Sequence, residues 1–119
     1  MDDMTKKADN TFIERKVKIS DIDEKIDIER ANLKKIDSLY DSAYSLNKSI
    51  NTCVSLLYTS IKGRGVQNIL DDISNESKND FRKMTATLEQ EEQEIKKRLD
   101  NLYDKRESLL SEEKKNKDE

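Results

Sequence analysis

Few side chains in this sequence are of a type that does chemistry, and their spacing narrows what they do. The chain has no histidine and one cysteine. General acid–base catalysis most often relies on histidine, and a nucleophilic thiol needs a base or cation beside it. Cys53, within Asn51-Thr52-Cys53-Val54-Ser55, has no obvious activating partner. It reads as an inert thiol on a helix face, buried or half-buried as free cysteines usually are. The densest carboxylate cluster lies between Glu89 and Glu94. Without histidine, and without a carboxylate-bearing seam position opposite, it is not expected to hold a metal. Gly63-Arg64-Gly65 lacks the further glycine, the lysine and the preceding strand of a phosphate loop. These residues point to an interaction protein with no cofactor, not to an enzyme.

Composition and charge narrow the partners. Of 119 residues, 41% are charged and 33% hydrophobic, a balance that suits long helices burying one stripe each and not a thick core. The net charge of −3 arises from interspersed signs: residues 1–61 carry ten Lys/Arg against eleven Asp/Glu, and residues 62–119 carry thirteen against fifteen. No basic stripe is available for phosphates, and the six aromatics do not alternate with cations, so nucleic acid is not an expected partner. No apolar run approaches the roughly 20 residues of a membrane span, and the N-terminus has no signal-peptide core. A cytoplasmic protein is expected, with leaderless export left open.

The elements that must position these side chains are two helices. The two glycines, Gly63 and Gly65, lie near the midpoint of a chain without proline. Glycine tolerates the left-handed backbone that often ends a helix, so they mark a turn. The expected fold is all-α: one helical-hairpin domain over 1–119, with two long antiparallel helices at about 11–61 and 68–115 and a turn at about 62–67. With Phe12 as position a, the first helix carries a heptad through Arg15, Ile19, Ile22, Ile26, Glu29, Leu33, Ile36, Tyr40, Ala43, Asn47, Ile50, Val54, Leu57 and Ile61. Twelve of these fifteen seam positions are apolar. Thr11 and Glu14 have the form of a capping box at its start, with Ser20 and Asp23 a competing, later one. The second helix follows Val66, Leu70, Ile73, Ser77, Phe81, Met84, Leu88, Glu92, Ile95, Leu99, Leu102, Arg106 and Leu109, with stutters near Ser77 and Leu88. Asn68 is its expected cap, with Asp71 and Asp72 in the first turn. The weak helix formers between Asp72 and Asp80 suggest a kink. Glu92 with Lys96, and Glu94 with Arg98, are spaced for i,i+4 pairs.

Residues 37–61 say most about binding. Only Asp37, Asp41 and Lys48 are charged in these 25 residues. Leu39, Leu46 and Cys53 recur every seven residues at position g and widen the apolar face beyond what one opposing helix covers. Ser38, Ser42, Ser45, Ser49 and Thr52 form a stripe of small hydroxyls, suited to close helix approach or to solvent. An apolar surface of this extent usually marks an association site.

A hairpin of this size with a glycine-bearing central turn resembles the small helical WxG-type proteins of type VII secretion. Ile61-Lys62-Gly63 stands where that family has Trp-x-Gly; the glycine is kept and the tryptophan is replaced. Tyr103-Asp104-Lys105-Arg106-Glu107 is similar to the family's Tyr-x-x-x-Asp/Glu export signal. In its length, and in the run from Phe81-Arg82-Lys83 to Lys105-Arg106-Glu107, the chain also resembles the leaderless helical accessory proteins that accompany LXG-type toxins in Gram-positive bacteria. What this implies is a non-enzymatic targeting factor that binds the helical N-terminal domain of such a toxin, alone or with a second small helical protein, and promotes its export. The implied partner face comprises Leu39, Ala43, Leu46, Ile50, Cys53, Leu57 and Ile61, with Ile69, Leu70 and Ile73 across the turn. Tyr103 and Glu107 would supply an export signal, and the protein itself would stay cytoplasmic or leave with its client. The alternative is a structural or chaperone-like coiled coil that self-associates, for example as a homodimer.

Overall fold

A computed structural model describes residues 2–118, with side-chain surroundings for 10–115. Helix α1 spans Asp2–Ser60 and helix α2 spans Arg64–Asp118; together they form a helical hairpin, with no strand among the described residues. The chain divides into a terminal unit, Met1–Leu33 with Glu94–Glu119, and a turn unit, Lys34–Gln93. Both units pair a segment of α1 with a segment of α2.

The α1 heptad sets the core. Every a and d residue from Arg15 to Val54 is buried or half-buried, with Ile26, Ile36, Ala43 and Val54 the most enclosed. On α2 the buried residues are Leu70, Leu88, Ile95 and Leu99. The inward line of α2 differs from the expected one at two points. Ser74 and Thr85 take half-buried places, while Ile73 and Met84 are turned out and exposed. From Phe81 to Glu113 the half-buried and buried residues then recur in strict steps of four and three. The stutters accordingly fall at Val66-Leu70-Ser74 and Ser77-Phe81-Thr85. From Phe81 on, placing Thr85 inward keeps α2 on the seven-residue repeat even though the residue is polar, whereas Ser74 enters where that repeat is broken. Thr85 is accommodated because its hydroxyl donates to the Phe81 carbonyl at 3.0 Å and to the Arg82 carbonyl at 3.1 Å.

In the terminal unit, three polar members of the inward stripes make ion pairs across the helices. Arg106 Nε donates to Asp23 Oδ1 at 2.6 Å. Arg98 forms a two-point contact with Glu29, Nε to Oε1 at 3.1 Å and Nη2 to Oε2 at 3.3 Å. Arg15 Nε lies 3.9 Å from Glu112 Oε2. Arg98, expected to pair with Glu94 along its own helix, reaches across to Glu29 of α1. Such pairs add little stability in water, about 0.2–1 kcal/mol each, but they specify which residues face each other.

The turn is shorter than expected. Residues 61–63 alone are non-helical. The Ile61 N–H donates to the Leu57 carbonyl at 3.0 Å, and the Gln67 N–H donates to the Gly63 carbonyl at 3.0 Å. Gly63 is therefore the residue from which α2 springs, and Gly65 lies in the helix's first turn instead of in the loop. Neither glycine has a positive φ, and a Cβ on either would meet open space. The left-handed backbone expected of them is not used. Asn68 is not the cap, and with α2 starting at Arg64 its first turn holds no acidic residue. Likewise Thr11 and Glu14 lie inside α1, and α2 runs as unbroken helix through 73–79.

Candidate functional site

The turn unit carries an apolar groove that its own two helices leave open. Its floor contains Ala43, Asn47 and Ser77, short side chains that leave space above the seam. Leu46 and Ile50 of α1 form one wall, and Ile73, Glu76, Asp80, Phe81 and Met84 of α2 the other, around a cavity of about 370 Å³. A second cavity of about 230 Å³ is lined by Ser49, Ile50, Cys53, Val54, Leu57, Leu70 and Ile73. The two share Ile50 and Ile73 and so lie next to each other along the groove. On α1 the open stretch runs from Ala43 to Leu57, fourteen steps of about 1.5 Å, or about 21 Å.

Why the groove opens on one flank follows from the heptad. Leu46 and Cys53 occupy position g, on the open side. Position e, across the seam, holds Tyr44 and Tyr58. Tyr44 packs edge-on against Phe81, ring centroids 5.3 Å apart at 63°. The Tyr58 hydroxyl donates to Asp71 Oδ1, and this hydrogen bond raises the phenol's pKa above its ordinary 10.0. Tyr40, at position a, is also pushed upward, first by desolvation and then by the carboxylates of Glu92 and Glu89. On the e flank Tyr44 thus contacts Phe81 and Tyr58 bonds Asp71, whereas on the g flank Leu46, Ile73 and Met84 remain exposed.

The expected partner face separates into three groups. Leu46, Ile50, Cys53, Leu57 and Ile73 line the two cavities; Leu46 is 54% exposed, and Ile73, Leu57 and Cys53 are exposed as well. Cys53 was expected to be at least half-buried, and its flank position explains the difference. Ala43 and Leu70 also line them but, at 4% and 3% exposure, are committed to the seam, so they shape the floor and offer little surface to a partner. Leu39, Ile61 and Ile69 are exposed yet line neither cavity. Leu57 and Ile61, expected in the seam, are exposed because α2 supplies only its first turns opposite them. Met84, expected in the seam, lies instead on the open flank beside Glu76 and Asp80, for which no role was expected. Their signal was available: each directly precedes an inward residue, Thr85, Ser77 and Phe81 respectively, which puts all three on one flank.

The hydroxyl stripe of α1 faces outward. Ser38 donates to the Lys34 carbonyl at 3.1 Å and Thr52 to the Lys48 carbonyl at 2.9 Å, so both satisfy their donors within the helix. In the terminal unit, Tyr103 and Glu107 are exposed one turn apart, and the Arg30 guanidinium lies 5.8 Å from the Tyr103 ring centroid. A cavity of about 520 Å³ there is bounded by Lys18, Lys25 and Lys105 against Asp21 and Asp104, a rim of mixed sign. Among the described residues no group of three or more His, Cys, Asp or Glu side chains is placed to hold a metal ion. No helix among them is long and apolar enough to cross a membrane.

What the turn-unit groove can do is bind apolar side chains presented along a line. Leu46, Ile73 and Met84 are each about half exposed, and covering the remainder is worth about 1 kcal/mol apiece. Compared with known proteins, the chain matches no family profile, no curated protein and no solved structure.

Proposed function

We propose that this chain is a non-enzymatic accessory protein that binds the helical N-terminal domain of a type VII-secreted LXG-type toxin and promotes its export. The observation that carries the reading is the open groove on the g flank of the turn unit, lined by Leu46, Cys53, Leu57, Ile73 and Met84. A helix laid there would turn the two-helix pairing into a three-helix one and cover apolar surface that the hairpin leaves in water. Tyr103 and Glu107, exposed one turn apart on α2, serve in this reading as part of the export signal. The protein acts in the cytoplasm, before or during export of its client.

Co-expression with the helical N-terminal domain of an LXG-type toxin tests the proposal. The expected result is a stable complex that Leu46→Glu disrupts while helicity is retained, and toxin secretion that falls when this gene is deleted or Tyr103 is replaced by alanine. Absence of a complex together with normal secretion after deletion would overturn it. A discrete homo-oligomer of the isolated chain, seen by light scattering and disrupted by Leu46→Glu, would favour the self-associating coiled coil instead.

A further inference from the structure

The groove is charged on one wall only. Its α1 wall, Leu46, Ser49 and Cys53, carries no charge, whereas the α2 wall sets Glu76 and Asp80 between Ile73 and Met84. The two carboxylates are four residues apart and so lie one turn from each other on the same face, where like charges repel. Among the described residues neither has an ion-pair or hydrogen-bond partner, unlike Asp23, Glu29, Asp71 and Glu112. No lysine or arginine lines either cavity. Two unpaired acids beside an apolar trough favour a cation on whatever occupies it.

We infer that the occupant of this groove is an amphipathic helix of about four turns, apolar on the side that enters and carrying lysine or arginine on the flank that meets Glu76 and Asp80. The length follows from the open stretch of about 21 Å along α1. The apolar stripe matches Leu46, Ile73 and Met84, and basic residues spaced three or four apart match the one-turn separation of the acids. This inference rests on the proposed function in taking the groove as a binding site, and it adds the chemistry of the helix that is chosen.

Two synthetic helices of sixteen or so residues test it, identical in a leucine stripe at i, i+3, i+4 and i+7 spacing and differing only in lysine or glutamate along one flank. Binding is read by fluorescence anisotropy and by the rate at which iodoacetamide alkylates Cys53, whose thiol lies in the trough. The lysine-flanked helix is expected to bind, to slow alkylation, and to lose about tenfold in affinity against Glu76→Gln/Asp80→Gln, the loss of two exposed charge pairs. Both substitutions are at exposed positions, and circular dichroism checks that the hairpin persists. Equal binding of the two helices, preference for the glutamate flank, or no binding of either overturns the inference. So does a Cys53 already protected in the isolated chain by self-association. A toxin domain that binds with no dependence on Glu76 and Asp80 would overturn it while leaving the proposed function intact. The lysine preference without any toxin-domain complex would do the reverse.

Discussion

Replacing Leu70 and Leu46 separately by alanine distinguishes seam from groove. Leu70 is 3% exposed, so Leu70→Ala removes buried methyl groups and leaves a cavity between the helices, at a cost of about 2–5 kcal/mol. Leu46 is 54% exposed and borders open space. Its truncation loses contact for the buried half only, and water fills the gap, so Leu46→Ala is expected to cost no more than about 1 kcal/mol. Urea unfolding followed by circular dichroism at 222 nm separates the two. With a urea slope of about 1–3 kcal/mol/M, a loss of 3 kcal/mol moves the midpoint by about 1–3 M, whereas Leu46→Ala should shift it by well under half as much. The comparison holds only if the slope stays unchanged between variants. Equal midpoint losses would mean that Leu46 is part of the closed seam, and both the groove and its proposed occupant would fall with that result.

Three further outcomes are expected. Gly65→Ala should stabilise the hairpin by about 0.5–1 kcal/mol, because the residue is helical without a positive φ and its Cβ meets open space; a lower melting temperature would contradict this. A double-mutant cycle of Arg98→Ala and Glu29→Ala should give a coupling of about 0.2–1 kcal/mol that shrinks in high salt, and zero coupling at low salt would show that the two-point contact contributes nothing. The raised pKa of Tyr58 means that its phenol binds its proton more tightly in the folded chain, so its contribution is fully present below about pH 10 and is lost as pH rises through the higher folded value. Melting curves should show wild type exceeding Tyr58→Phe below about pH 10 and the two converging above it. A gap that widens with alkalinity would refute the assignment.

How far the fold was legible depends on the residue. Ile26, Ile36, Ala43 and Val54 could be assigned to the core from their spacing alone, because a heptad of apolar side chains in so polar a chain has one way to hide. Ile73 and Met84 could not be placed in the same way. An apolar residue draws the stripe toward itself on paper, but in the hairpin Ser74 takes the inward place at a stutter and Thr85 takes it where the strict repeat begins. That same displacement is what supplies the groove with its α2 wall, so the site was hidden for the reason the stutters were misplaced. Glycine misled in a related way. Gly63 and Gly65 do lie at the reversal, but positive φ is one use of glycine among several, and here the helix begins immediately at Arg64. Three of the polar interruptions, Arg15, Glu29 and Arg106, are charged exceptions in the stripes, and only the folded chain shows that each meets an opposite charge.

Those three ion pairs bear on how the hairpin avoids assembling out of step. An apolar repeat looks much the same after a slide of seven residues, about 10 Å along the axis, so leucines and isoleucines alone would accept several alignments of α1 on α2. Such a slide would part Arg106 from Asp23, Arg98 from Glu29 and Arg15 from Glu112 together, and it would have to be absorbed by a connection of only residues 61–63. The charged clasps thus favour one alignment: each contributes little to how firmly the chain holds together, and jointly they disfavour the near-miss that hydrophobicity tolerates.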